Sequence, residues 1–294
     1  MQLLNLAHTM LKKILLLPIL LAASSPVWSQ SGDQTTCDRE LLAEVFGDHQ
    51  KITFEGLNRK NEHEWTELAL VCKERPGHSN QIIVATFFVP NEAPAEFETR
   101  DVGFAVALVD KAQRRLLSLH TSMLQEDGGT NAFWHGSLAI DTAHYDLKKG
   151  VRAIGIRMDI VRPGCAWDGA SGNTLWLFQE RGPVLQPVLS GFDMYRSERQ
   201  FFKGCICCSQ EESKGAVHDA SLTLSIASTS SNGYQDLALR ATLSSSVYNL
   251  PEIKDEIVPG GLLKFDGQQY RREEVEQQIG NLLEARKRKY EKWR

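Results

Sequence analysis

Residues 220–242 read Ala-Ser-Leu-Thr-Leu-Ser-Ile-Ala-Ser-Thr-Ser-Ser-Asn-Gly-Tyr-Gln-Asp-Leu-Ala-Leu-Arg-Ala-Thr, and this stretch decides the fold class. Apolar residues alternate with polar or small ones on both sides of Asn232-Gly233: Leu222, Leu224 and Ile226 precede it, and Leu237, Leu239 and Ala241 follow it. Alternation of this kind predicts strands with one buried face and one solvent-exposed face, and Asn-Gly is a strong turn signal. The stretch therefore predicts an antiparallel β-hairpin.

Similar strand and turn patterns extend outward from this hairpin. A β-branched and aromatic run at residues 81–90 predicts the first strong strand. Apolar stretches separated by short turn sequences predict further hairpins, at residues 102–110 with 114–120, 137–145 with 151–158, 174–179 with 184–189, and within 262–270. Residues 124–133, which contain Gly128-Gly129, are predicted to form an exposed loop.

Helical patterns occur near the two ends of the chain. Residues 39–46 form a short amphipathic pattern, with Asp38 placed to cap it and Gly47 placed to end it. Residues 271–294 form a longer one, with acidic residues early and basic residues late. We therefore predict a mainly β protein whose antiparallel meanders form a sandwich or an irregular propeller-like body, with a short N-terminal helix and a C-terminal amphipathic helix.

The first 29 residues are typical of a cleaved export signal. Lys12 and Lys13 precede an apolar run at residues 14–23 that is short for a transmembrane helix. We predict that the signal peptide covers residues 1–29, that the mature chain begins at Gln30, and that the protein is located in the periplasm.

The net charge limits the classes of partner, and the chain length limits the number of domains. The 294-residue chain has a formal net charge of −4, which becomes −6 when the two signal-peptide lysines are removed. An acidic balance argues against nucleic acid as a partner. We predict a single β-rich domain at residues 30–270, with a helical, disulfide-stapled segment at 30–80 inside it, followed by the terminal helix at 271–294.

Six cysteines in an exported chain predict disulfide bonds, because disulfides persist in an oxidising compartment. Cys37 and Cys72 bracket one N-terminal segment and are expected to pair. Cys165 is expected to pair with one cysteine of a crowded cluster, which consists of Cys205, Cys207 and Cys208. Adjacent cysteines are poorly placed to bond to each other, so the arrangement of the two remaining sulfurs stays open.

The cysteine cluster also supports a soft-metal hypothesis. Thiolates favour Cu(I) or zinc. Cys205, Cys207 and Cys208 would supply the sulfurs of such a site, and His218 could add a nitrogen ligand.

A hydrolase is the other alternative. His120, His135, Asp141 and His144 lie on or beside neighbouring predicted hairpins, and a group of this kind can perform acid–base chemistry within a cleft. The sequence contains no Gly-x-Ser-x-Gly motif for a nucleophile elbow.

Five segments carry a resemblance to known proteins: 65–84, 140–147 with 155–157, 174–178, 232–237 and 264–270. Together they resemble uncharacterised exported β-rich proteins of Gram-negative bacteria, some of which are propeller-like and related to inhibitors of cell-wall lytic enzymes. The resemblance implies a periplasmic binding role, including that of a lytic-enzyme inhibitor. Such relatives often carry a calcium loop of alternating aspartates, which this sequence lacks, so no metal-binding or inhibitory residue is transferred.

The leading hypothesis is therefore an exported, disulfide-stapled, non-enzymatic protein that binds an envelope macromolecule, either a protein or a glycan. It assigns no catalytic residue and no cofactor. The terminal helix at 271–294 either docks on the β body or contacts anionic lipid or a partner helix. Docking is the leading interpretation, and Trp293 with the basic run at 286–289 is the reason to keep the second role as an alternative, because interfacial helices combine these two features.

Overall fold

The structure is a computed structural model, and it describes residues 36–54, 65–91, 99–127, 132–160, 169–203 and 214–294. The N-terminal helical segment consists of α1 (Arg39–Leu42), a π-helical turn (Ala43–Gly47) and α2 (Asp48–Gln50), and the C-terminal one of α3 (Glu273–Arg288) and a 3-10 turn (Glu291–Trp293). The remaining elements are strands, which confirms the mainly β prediction with one helical segment near each end.

Fifteen strands are present in the described ranges. In chain order they are β1 (Ile52–Thr53), β2 (Trp65–Arg75), β3 (His78–Pro90), β4 (Thr99–Asp110), β5 (Arg115–Asp127), β6 (Leu138–Asp141), β7 (Asp146–Lys148), β8 (Val151–Arg152), β9 (Ile154–Met158), β10 (Gly169–Arg181), β11 (Val184–Lys203), β12 (Lys214–Ser231), β13 (Tyr234–Tyr248), β14 (Glu256–Phe265) and β15 (Tyr270–Arg271).

Two antiparallel meanders dominate the topology. Strands β2 to β5 pair in sequence order, as do strands β10 to β14, and β9 and β6 continue the sheet from β10. The meanders join where β11 runs parallel to β5, through the pair Val184 and Leu119. Thirteen strands thus form one mixed sheet, and β7 and β8 form a separate two-stranded ribbon.

The first meander is covered on both faces. One face packs against the N-terminal helix through a cluster that includes Leu42, Val84 and Ala107. The other face, with Phe87 and Phe104, packs against strands β6, β9 and β10 through residues such as Ile156. Because two layers of strands face each other across this second cluster, the arrangement is that of a sandwich rather than of propeller blades.

Strand β10 separates the second cluster from a third. Phe178 lies in the cluster against the first meander, whereas Leu177 lies in a cluster formed by the second meander and α3. This division follows from the two-residue period of a strand, which sends successive side chains to opposite faces. Strand β10 is therefore buried on both sides.

The N-terminal helix is fixed by a cap and by a disulfide. The Asp38 carboxylate accepts a hydrogen bond of 3.0 Å from the Leu41 amide, as predicted from the sequence. Cys37 is bonded to Cys72 on β2, which confirms that expected pair. The other four cysteines, at positions 165, 205, 207 and 208, lie outside the described residues.

One predicted loop is in part a strand. Strand β5 continues to Asp127 because residues 124–127 pair with the start of β4. There the buried Glu126 carboxylate accepts a 2.5 Å hydrogen bond from Arg100 on β4. The local sequence is polar and precedes Gly128-Gly129. Local residues therefore did not predict the long-range pairing with β4 that extends the strand.

The C-terminal helix α3 docks on the second meander with its apolar stripe. Val275, Ile279 and Leu283 are each at most 3% exposed. At the helix start, the Arg272 guanidinium donates hydrogen bonds of 2.9 and 2.8 Å to the carbonyls of Ser190 and Gly191 on β11. In the described part of the chain, no helix has the length and apolar character needed to cross a membrane.

Arg286 is the one charged residue of α3 that is fully buried, at 1% exposure. Its guanidinium donates to the carbonyls of Ile253 (3.0 Å) and Lys254 (2.9 Å) and to the Ser245 hydroxyl (2.9 Å). These bonds satisfy the buried charge and tie α3 to β13 and to the segment before β14.

His218 on β12 belongs to the same polar network. Its Nδ1 lies 3.0 Å from the Ser245 hydroxyl and its Nε2 lies 3.2 Å from the Gln200 amide oxygen. Burial, and then the positive charges of Arg286 and Lys287, lower the pKa of His218 to about 4 against the weaker opposing effect of Asp219 and Glu198. The imidazole is therefore neutral in the folded protein at neutral pH.

This pKa predicts a loss of stability in mild acid. A depressed pKa in the folded state means that the contribution of His218 is complete above the unfolded value of 6.5 and is lost as the pH falls toward the folded value of about 4. Between about pH 7.5 and about pH 5, we expect the free energy of unfolding to fall by about 2 kcal/mol through this group.

Urea unfolding of the parent and of a His218→Gln variant at both pH values measures this contribution. The variant should show a pH dependence that is weaker by that amount, whereas a variant of the exposed His49, His49→Gln, should keep the parental dependence. Equal pH dependence in the parent and in His218→Gln would contradict the assignment.

Candidate functional site

A cavity of about 740 Å³ lies where three parts of the fold meet. Its walls come from the turn between β2 and β3, from the β7–β8 ribbon, and from the facing ends of β12 and β13. Apolar side chains contribute to its lining, namely Ile83, Ile154 and Ile226. A cavity of this size, with both apolar and charged residues in its lining, has the dimensions of a ligand site.

The β7–β8 ribbon gives the cavity a cationic rim. Lys148 and Lys149 stand at the ribbon turn and Arg152 on its second strand, and all three line the cavity. Gly150 completes the turn with a φ of +75°, a conformation that glycine adopts without strain. Among the described residues, none of these three cations forms an ion pair with a carboxylate.

The other contacts of the rim cations hold them in place without neutralising them. The Arg152 guanidinium donates to the carbonyls of Thr142 (2.7 Å) and Ala143 (3.3 Å). The Lys148 ammonium lies 4.4 Å from the centre of the Tyr234 ring, a cation–π contact. Lys149 is exposed. The exposed carboxylate of Asp146 also lines the cavity, so the ribbon presents three cations and one acid and is positive overall.

The positive charge of Lys148 affects the pKa of the Tyr234 hydroxyl. Burial raises its pKa, but hydrogen bonds with Lys148, Gln179 and Arg181 outweigh burial, so that the pKa of Tyr234 is lowered. Its ring also stacks on Phe265 at 4.0 Å. Tyr234 thus fixes Lys148 on a rigid support at the cavity wall.

Arg75 contributes a fourth cation, which is already paired. It donates a 2.8 Å hydrogen bond to Gln81 and forms a 2.8 Å ion pair with Glu180. The ion pair with Glu180 anchors the β2–β3 turn, which forms part of the cavity wall, to β10.

Asp141 is the predicted site residue that lines the cavity. Its carboxylate accepts hydrogen bonds from Arg157 (2.8 Å), Tyr145 (2.7 Å) and the Ala143 amide (3.0 Å). Burial alone would raise the pKa of Asp141, but the Arg157 charge and these donors together lower it. Asp141 is therefore held as a carboxylate, with its charge compensated by Arg157.

The three histidines of the predicted polar group lie in other environments. His120 on β5 packs among aromatic rings, 4.9 Å from Phe178. His135 and His144 are exposed in the segments before β6 and after it. None of the three lines the cavity that contains Asp141, so the hydrolase hypothesis gains no shared cleft there and stays a prediction.

The soft-metal alternative requires a ring nitrogen of His218 as a metal ligand. Both of its ring nitrogens are within hydrogen-bond distance of protein side chains. Across the described ranges, no group of three or more His, Cys, Asp or Glu residues is placed to hold a metal ion. The sulfur ligands of that hypothesis, Cys205, Cys207 and Cys208, lie outside those ranges, and it too stays a prediction.

The cationic rim was not identified as a site from the sequence. In the sequence, Lys148-Lys149-Gly150 is typical of the turn that joins residues 137–145 to residues 151–158. Two adjacent lysines before a glycine could have suggested a charged loop tip, but the cavity beside them is formed by β2, β3, β12 and β13, which are distant in sequence.

Comparison with known proteins gives no assignment for this site. No family model matches the sequence, and neither the curated proteins nor the solved structures include one that matches it.

Proposed function

We propose that the protein is exported to the periplasm and binds, without catalysis, a carboxylate-bearing glycan of the cell envelope in the cavity beside the β7–β8 ribbon. The observation that carries the proposal is the set of three cations, Lys148, Lys149 and Arg152, that line a cavity of about 740 Å³ without a carboxylate partner among the described residues. Charges of one sign at a concave site attract a ligand of the opposite sign.

A glycan suits the mixed lining of the cavity. The partly exposed apolar side chains of Val151 and Ile226 can contact the C–H faces of sugar rings, while the cations can bind carboxylates through charge-assisted hydrogen bonds. Nucleic acid suits it less well, because the chain as a whole is acidic, with a formal net charge of −4.

The envelope location is supported by the sequence pattern at residues 1–29 and by the Cys37–Cys72 disulfide. Disulfides persist in exported proteins and are rare in reducing compartments. Non-catalytic binding is supported by Asp141, since this cavity carboxylate is compensated by Arg157 and so is poorly suited to accept a proton.

Charge reversal at the rim tests the proposal. We expect a Lys149→Glu variant of the mature chain (residues 30–294) to co-sediment with purified peptidoglycan about tenfold more weakly than the parent, because one charge-assisted contact contributes about 1.5–3 kcal/mol. Lys149 is exposed, so the variant should keep the stability of the parent.

Lys264→Glu is the matched control, since Lys264 is also exposed and the substitution changes the net charge equally. This control should bind as the parent does. The proposal fails if the parent does not co-sediment, or if both variants lose binding to the same extent.

A further inference from the structure

A row of polar side chains runs along the inner face of β5. Ser118, His120 and Ser122 pair with Leu108, Val106 and Phe104 of β4, whose side chains belong to the apolar cluster between the two layers of strands. Side chains two residues apart on a strand share one face. The three polar side chains, which we call the β5 stripe, therefore point into an otherwise apolar interior.

The β5 stripe has unused hydrogen-bonding groups. In the described part of the chain, the hydroxyls of Ser118 and Ser122 and Nε2 of His120 are buried without a hydrogen-bond partner. Ser118 is 1% exposed. A buried polar group without a partner is destabilising, and such groups are rare in native proteins. Three such groups lie in this one row, and a bound molecule would supply the partners that the described residues do not.

An aromatic surface lies beside the stripe. The Trp176 ring on β10 is 6.4 Å from the His120 ring and 5.7 Å from the Phe104 ring, measured between centroids. It is also nearly parallel to the Phe178 ring, with an interplanar angle of 10°. Trp176, His120 and Ser122 are all partly exposed, whereas Ser118 is buried. The stripe therefore opens to the surface at its Trp176 end.

The stripe is uncharged, which defines the chemistry of its ligand. Burial lowers the pKa of His120 more strongly than a backbone hydrogen bond with Leu185 raises it, so the imidazole is neutral at neutral pH. The carboxylate farther along the same face, Glu126, is paired with Arg100 at 2.5 Å. A matching ligand carries neutral hydroxyl groups at its edge and an apolar face.

We propose that Ser118, His120 and Ser122, together with the Trp176 ring, form a binding site for a neutral sugar ring. The sugar hydroxyls supply the missing partners of the stripe, and the C–H face of the ring packs on Trp176. None of these four residues lines the cationic cavity, so this site is separate from the one that we propose for carboxylates.

Titration of the mature chain with neutral trisaccharides of glucose, galactose and N-acetylglucosamine tests the site. The tryptophan fluorescence that is lost in a Trp176→Phe variant reports on Trp176, and the nitrogen NMR shift of His120 Nε2 reports on the stripe. We expect saturable changes in both signals with at least one trisaccharide. Affinity should fall about tenfold or more in a Ser122→Ala variant, because the variant loses one hydrogen bond to the sugar.

Thr121→Ala is the matched control, because Thr121 neighbours Ser122 on the same strand but is exposed on the opposite face. It should bind as the parent does. A parent that responds to none of the three sugars overturns the proposal, and so does equal weakening by the two variants. A Lys149→Glu variant that binds neutral sugars normally separates this site from the cationic cavity.

Discussion

An Arg286→Met variant is expected to lose about 3–5 kcal/mol of unfolding free energy. Methionine keeps the length of the side chain but removes its donors, so the carbonyls of Ile253 and Lys254 and the Ser245 hydroxyl lose the guanidinium that they now accept from. These groups surround a side chain that is 1% exposed, so water cannot replace the donors without local opening.

Urea unfolding, followed by circular dichroism, measures the loss. Arg288→Met, which changes an exposed arginine two residues away on the same helix, is the control and should shift stability by less than about 0.5 kcal/mol. If Arg286→Met cost no more than this control, Arg286 would not be the residue that fixes α3 to the sheet.

The second large effect is expected from loss of the disulfide. A Cys37→Ala/Cys72→Ala double variant should lose about 4 kcal/mol, because the bond closes a loop with a sequence separation of 35 residues and so restricts the unfolded chain. It also ties the segment that leads into α1 to β2.

Thermal and urea unfolding of the double variant and of each single variant measure this effect. The three variants should be destabilised to a similar degree, since each lacks the same bond, with Cys72→Ala adding only the small cost of a buried sulfur. A loss below about 1 kcal/mol in the double variant would show that the bond contributes little to stability.

Local patterns were enough to predict the class of fold. The alternation at residues 220–242 corresponds to the β12–β13 hairpin, in which Leu222 pairs with Ala241 and Leu224 with Leu239. The β-branched run at 81–90 lies within β3. Such patterns are readable because a strand repeats every two residues and a turn requires particular residue types.

Features that depend on contacts between distant residues were not predictable in this way. Arg286 lies in a basic run that is typical of a solvated helix end, yet it is buried because acceptors more than 30 positions away converge on it. The cavity, likewise, takes shape only when β2 and β3 meet β12 and β13. Sequence patterns describe which face of an element is buried but not what lies opposite that face.

The direction of the polar side chains of the β5 stripe was also not predictable from the local sequence. Ser118, His120 and Ser122 alternate with Leu117, Leu119 and Thr121, a pattern in which the polar set would ordinarily face water. The structure turns the polar set inward, because a bulge between the Leu108–Ser118 and Val109–Leu116 pairs shifts the register of β5 against β4.

Recognition of carboxylates by the cationic rim can be measured by a calorimetric comparison. The mature chain is titrated with soluble peptidoglycan fragments before and after their carboxylates are converted to amides, a change that removes charge with little change in size. We expect amidation to weaken binding about tenfold or more, because Lys148, Lys149 and Arg152 lose their charged partners. Equal affinity for the two forms of the fragments would mean that the rim does not recognise carboxylates.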